Sequence, residues 1–215
     1  MELNKYIDHT NLNRSATKED IKKICDEAIE YDFASVCIHP YYIEYAKEIL
    51  KDSGVKVCTV IGFPLGENTS DVKVYETKDA LRRGADEIDM VINVSALKNK
   101  DYDYVENEIQ SIRDVVKDKL LKVIIEECCL NEDEIVAITK ICNKCKVDYI
   151  KTSTGFDKGG ATIETVKIIN DNKNKEIGIK ASGGIRDYET ALEFIKNGAT
   201  RIGASSGVKI MEGEK

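Results

Sequence analysis

Short apolar, β-prone runs alternate with amphipathic helical stripes along the whole chain, and that alternation restricts the fold more than any other feature of the sequence. The runs cover 6–10, 33–38, 55–61, 85–93, 120–126, 147–152, 177–181 and 201–204. Between them apolar residues recur at three- and four-residue spacing, as in Ile21, Ile24, Cys25, Ala28 and Ile29, or in Val105, Ile109, Ile112 and Val116. Further stripes at 42–50, 72–81, 132–142, 163–169 and 188–195, with a short one at 205–211, complete the pattern. Eight units in 215 residues give about 27 residues each, which predicts an α/β fold, a (β/α)8 TIM barrel in a single domain spanning 1–215. The rival is a doubly wound open sheet. That fold usually carries one glycine fingerprint after its first strand, whereas the glycines here gather late.

Charge and cysteine content narrow the function. A formal charge of -7 and a pI near 5.1 oppose a nucleic-acid surface, so any anionic ligand must be bound by local design. No apolar run approaches the roughly 18 residues of a membrane helix, and Met1-Glu2-Leu3-Asn4-Lys5 begins neither a signal nor a transit peptide. A cytoplasmic chain with no membrane partner is the expectation. Seven cysteines, an odd number without framework spacing, are expected to be reduced thiols. Cys142 and Cys145 have Cys-x-x-Cys spacing, but no second pair accompanies them. His9 and His39 are the only histidines, so a site with several histidine ligands cannot be assembled, and chemistry without metal or cofactor is expected.

In such a barrel catalytic groups sit at the C-terminal ends of the strands, which makes polar residues late in apolar runs informative. Asp89 interrupts Glu87-Ile88-Asp89-Met90-Val91, Lys151 ends Val147-Asp148-Tyr149-Ile150-Lys151, and Lys180 takes nearly the same place in Ile177-Gly178-Ile179-Lys180-Ala181. Each has a bland reading: a lysine at a strand end can snorkel, and a strand carboxylate can be a structural acceptor. The two lysines together are more specific, because they fall on adjacent strands. Mutual repulsion with partial desolvation favours one neutral, nucleophilic amine beside one cation, and a nearby carboxylate can shuttle protons. Gly155, Gly159, Gly160, Gly183, Gly184, Gly203 and Gly207 follow the last three strands, and Ser205-Ser206 precedes a short helix. Phosphate sites of this fold favour that region.

The motifs Ile7-Asp8-His9-Thr10-Asn11-Leu12, Val60-Ile61-Gly62-Phe63-Pro64-Leu65-Gly66, Glu87-Ile88-Asp89-Met90-Val91-Ile92-Asn93, Tyr149-Ile150-Lys151-Thr152-Ser153-Thr154-Gly155-Phe156 and Ile179-Lys180-Ala181-Ser182-Gly183-Gly184-Ile185-Arg186 span most of the chain. On these residues the sequence resembles the deoxyribose-phosphate aldolases, a family of DeoC-type class I aldolases. The resemblance implies that Lys151 is the Schiff-base lysine, Lys180 the second lysine that perturbs it, and Asp89 a proton donor and acceptor. It also implies that Gly155, Gly183, Gly184, Arg186, Gly203, Ser205 and Ser206 surround a substrate phosphate. The implied reaction is reversible cleavage of 2-deoxy-D-ribose 5-phosphate to D-glyceraldehyde 3-phosphate and acetaldehyde, with small-molecule partners only. A homodimer is compatible with the fold.

Three departures from the family pattern stand out: Ser95 where glycine is common, Cys128-Cys129 where a hydroxyl residue is common near the strand end, and no tyrosine-ended tail after Gly213. Cys37, within the second strand, is expected to be a packing residue. Two other readings fit the glycines and an acid alone: an isomerase or synthase barrel working without an imine, and a silent barrel that binds sugar phosphates.

Overall fold

Eight parallel strands pair in chain order and close on themselves, β1 with β8: β1 Ile7–Asn11, β2 Ser35–Ile38, β3 Lys56–Ile61, β4 Glu87–Val91, β5 Leu120–Ile124, β6 Tyr149–Lys151, β7 Gly178–Ser182 and β8 Arg201–Ala204. The helices are α1 Lys18–Glu30, α2 Ile43–Leu50, α3 Ser70–Arg83, α4 Val94–Lys98, α5 Tyr102–Val116, α6 Glu132–Lys144, α7 Ile163–Asn172, α8 Tyr188–Lys196 and α9 Gly207–Glu212. This computed structural model describes residues 2–213. The chain end after Gly213, on which the expectation about a tyrosine-ended tail falls, lies outside the described residues, as does Met1. No described helix is long and apolar enough to cross a membrane.

Local sequence explains where elements start and stop. Thr17 accepts from the backbone N–H of Asp20, whose carboxylate accepts in return from Thr17, and Asn131 and Glu134 make the same reciprocal box at α6. Gly84 ends α3 with φ +110, a left-handed cap suited to glycine. The structure shortens β6 to three residues, where 147–152 reads as strand in the sequence: the Val147 N–H turns back to the Cys142 carbonyl of α6, and Thr152, although its N–H still donates to Lys180 on β7, follows the last paired residue. It also adds α4, opened by the Asn93 side chain accepting from Ala96, which the five-residue span left too short to read as a helical stripe.

Strand alternation sorts the core into two parts. Outward-facing residues such as Ile88, Met90, Leu121, Val123, Ile150, Ile179 and Ile202 pack in one apolar cluster with residues of the helices. Inside the barrel the apolar cluster is small, Leu12, Cys37, Cys58 and Val60 with Phe63 against it. Much of the remaining interior is charged, which departs from the packed aliphatic layers usual in this fold.

One buried ion pair lies outside the barrel and supports the strand that matters most. Lys73 on α3 and Glu108 on α5 are fully buried, with Nζ 2.7 Å from the carboxylate. Lys73 also donates to the Val91 carbonyl at 2.8 Å, and Glu108 accepts from the Asn93 N–H at 3.0 Å. The pair therefore fixes the C-terminal end of β4. Glu108→Leu would strand the Lys73 ammonium, and a stability loss of about 3–5 kcal/mol is expected. Urea unfolding measures it, and an unchanged midpoint would contradict this role.

Candidate active site

Asp89 on β4 is the hub of the barrel interior. Its Oδ2 accepts from Lys151 at 2.9 Å and Lys180 at 2.7 Å, while Oδ1 accepts from Lys122 at 2.8 Å and from the Cys58 thiol at 3.1 Å. The register makes this inevitable once the strands face inward: Lys151 pairs with Lys180 across β6 and β7, and Asp89 with Lys122 across β4 and β5. The sequence expectation of two lysines repelling one another is thus modified, since a single carboxylate oxygen stands between them.

A second carboxylate sits beneath. Asp8 on β1 holds Lys180 at 2.6 Å and Arg201 at 2.6 Å, and accepts from the Ser35 hydroxyl at 2.7 Å. Glu87 completes the set, 2.5 Å from Lys122 and 3.4 Å from Arg201. Three buried carboxylates (Asp8, Glu87, Asp89) thus face four buried cationic side chains (Lys122, Lys151, Lys180, Arg201).

Their titration follows from that layout. Burial alone would raise Asp89, but Lys122, Lys151 and Lys180 outweigh it and hold the carboxyl well below the usual range. Burial likewise opposes ionisation of Asp8, and Arg201, Lys180 and Lys122 reverse it. For Lys180, burial would lower the ammonium, whereas Asp8 and Asp89 raise it above the ordinary lysine range, so it stays cationic. Lys122 is raised in the same way, against burial, first by Asp89.

Only one member of the trio opens to a cavity. Lys151, 3% exposed, lines a space of about 790 Å³ at the C-terminal mouth, whereas Lys180 and Asp89 lie fully buried below it. Gly155, Gly183 and Gly184 line the same cavity, and so do Arg186, Gly203 and Ser205. Ser206 does not: it lines a neighbouring space with His9 and Glu27. Gly203 has a second task, because a Cβ there would stand 3.0 Å from Lys180 Cε and 2.9 Å from Ser182 Cβ. The strand ends are tied by Thr152 Oγ1, which bonds both the N–H and the carbonyl of Ser182, and by the Ser182 hydroxyl donating to Ser153.

Lys122, Asp8, Glu87 and Arg201 were absent from the sequence-derived site. The signal for Lys122 was present: it interrupts Leu120-Leu121-Lys122-Val123-Ile124 as Lys151 and Lys180 interrupt their runs. In the sequence the apolar run extends to Glu126, which puts Lys122 early in it, a layer deeper than Lys151, where a rule that reads run ends does not look. Ser95 and Cys129 line an adjoining cavity of about 390 Å³ that shares Thr154 and Phe156 with the Lys151 cavity, and Cys128 is exposed, so these departures from the family pattern stand behind that shared wall rather than beside Lys151. Burial pushes the neighbouring Glu127 carboxyl up to about 7. Cys142 and Cys145 are buried thiols raised by burial.

A sequence profile described as "DeoC/LacD family aldolase" matches residues 3–213. The chain is 57% identical to a deoxyribose-phosphate aldolase of Finegoldia magna, over 99% of this chain and 100% of that one. It is 55% identical to a deoxyribose-phosphate aldolase of Streptococcus sanguinis, over 100% and 98% of the two chains. A solved structure described as a tetrameric deoxyribose phosphate aldolase from Aeropyrum pernix superposes with a TM-score of 0.91 at 33% identity, covering 98% of this chain and 89% of that one.

Proposed function

Since the chain belongs to the DeoC/LacD family of aldolases, we propose that Lys151 is the amine through which it reversibly cleaves 2-deoxy-D-ribose 5-phosphate to D-glyceraldehyde 3-phosphate and acetaldehyde. The observation that carries this reading is the position of Lys151. Its amine lines the cavity, with one carboxylate partner, while Lys180 has two and Lys122 three. Attack on an aldehyde requires a neutral amine with access to the substrate.

The Lys151 amine adds to the C1 aldehyde, and water leaves to give an iminium. A base takes the C3 hydroxyl proton, the C2–C3 bond breaks, and its electron pair moves into the iminium to give an enamine and free D-glyceraldehyde 3-phosphate. Protonation of the enamine carbon and hydrolysis release acetaldehyde and restore the amine. Asp89, bonded to both lysines, is placed to pass protons, and the Lys180 ammonium stabilises negative charge developing nearby. Gly155, Gly183, Gly184, Gly203, Arg186 and Ser205 form the phosphate end of the cavity in this reading. The positive φ of Gly155, Gly183 and Gly184 keeps bulk off that wall, and Arg186 brings a guanidinium to the rim. Ser206, which lines the neighbouring space, is not part of that end.

Borohydride reduction in the presence of acetaldehyde, followed by peptide mass mapping, tests the assignment. One reduced two-carbon adduct on Lys151 is expected. Turnover without any adduct would favour an isomerase or synthase barrel, and phosphate-ester binding without turnover a silent one. The tetrameric relative supports self-association of this chain, which sedimentation velocity reads.

A further inference from the structure

We propose that Cys128, Cys129 and Asp157 form a binding site for a thiophilic divalent cation of the zinc or cadmium type, at the rim of the barrel and apart from the catalytic cavity. One ligand-capable atom from each residue lies within 4.8 Å of the others, and the Cys129 thiol already donates to Asp157 Oδ2 at 3.6 Å. Two sulfurs and one carboxylate oxygen make a three-ligand face that water completes to a tetrahedron, the geometry such ions adopt. Cys128 and Asp157 are exposed and Cys129 is half-buried, so an ion reaches the cluster from solvent.

Both segments that carry the ligands are held in place without an ion. Cys128 and Cys129 sit in a 3-10 turn at Glu127–Cys129, closed by the Cys129 N–H donating to Glu126 at 3.0 Å. Lys98 donates to the Cys129 carbonyl at 3.0 Å and to Glu134 at 2.9 Å. The opposite loop packs against this turn so closely that a Cβ at Gly159 would stand 2.6 Å from Cys128 Cβ. Its far end is anchored by the Ala161 N–H, which donates to Ser182 and Gly183. Ligand positions fixed before binding lower the ordering cost of taking up an ion.

The Asp157 carboxylate beside the two thiols supplies negative charge to an incoming cation. Uptake of M²⁺ by two thiols and one carboxylate releases two protons and leaves one net negative charge on the cluster, so affinity rises with pH. Two other cysteine–carboxylate groups exist among the described residues, Cys37 with Cys58 and Asp89, and Cys58 with Asp8 and Glu87. They are sealed in the barrel, and Lys122 already contacts Cys58, Glu87 and Asp89. The bridge would join the turn after β5 to the loop carrying Gly155 and Phe156, both of which line the catalytic cavity.

The test is equilibrium titration of the fully reduced intact chain with Cd²⁺, reading thiolate-to-cadmium charge-transfer absorbance. One ion per chain is expected, with release of two protons in buffers near neutral pH. Cys129→Ser should weaken binding by at least about 100-fold and Asp157→Asn by about 10-fold, in line with the sensitivity of metal sites to their ligands and supports. The double variant C128S/C129S should lose the band while keeping its circular dichroism. A band that persists in the double variant, or its absence from the reduced wild-type chain, overturns the site.

Discussion

Replacing Lys151 by alanine is expected to lower cleavage of 2-deoxy-D-ribose 5-phosphate by at least about 10⁴-fold, equivalent to more than ~5 kcal/mol of transition-state stabilisation. The loss is large because the amine is consumed and regenerated in the reaction, and no other described lysine lines the cavity. Lys180 cannot take over. It is fully buried beneath, held by Asp8 and Asp89, and raised above the ordinary lysine range. The fold should survive, since Asp89 keeps Lys122 and Lys180 as partners after Lys151 is removed. Single-turnover kinetics with thermal unfolding on the same sample separates the two effects. A variant that retains a tenth of wild-type turnover would remove Lys151 from the chemistry.

Lys122→Met is expected to cost about 3–5 kcal/mol of stability, because it takes the cation out from between Glu87 at 2.5 Å, Asp89 at 2.8 Å and Asp8 at 3.5 Å. Its pH dependence distinguishes this from simple loss of packing. Asp8 and Asp89 are depressed in the folded barrel, so their stabilisation is present above the unfolded value, near 4, and is lost as pH falls through the folded values. In that window the unfolded chain binds more protons, and stability falls with pH. Removing Lys122 raises both folded values and narrows the window, so the variant's stability declines less steeply below about pH 4 than that of the wild type. Leu121→Ala, a buried neighbour facing the helices, is expected to lose about 2–5 kcal/mol with the wild-type slope retained. Denaturant unfolding between neutral pH and pH 3 compares them, and identical slopes for Lys122→Met and Leu121→Ala would discard the electrostatic account.

The two lysines show how far strand reading reaches. Lys151 and Lys180 stand out because each occupies an apolar run near its end, and counting strands puts them side by side, as the Lys151–Lys180 register does. Lys122 carries the same local signal but sits earlier in its run, and Asp8 lies in a mixed segment, so neither satisfies a rule about strand ends. The elements follow the same division. Helices with capping residues and long stripes, such as α1 and α6, begin where the sequence places them, while α4, with five residues, has too few turns to show a period.

The sequence by itself determined the eightfold alternation, the closed barrel it implies, the strand positions of Asp89, Lys151 and Lys180, and the family motifs that connect them to imine chemistry. These are properties of local periodicity and residue type, which a linear string records. Only the tertiary structure decided that Asp89 bridges the two lysines, that Lys122, Asp8, Glu87 and Arg201 complete an alternating charge network, and that Lys151 alone of the trio meets the cavity. It also separated Ser206 from the cavity of Lys151 and brought Asp157 to two cysteines 28 and 29 positions earlier in the chain. Barrel closure brings together side chains as far apart in sequence as Asp8 and Arg201, and electrostatic energy depends on those distances and on exclusion of water rather than on sequence spacing.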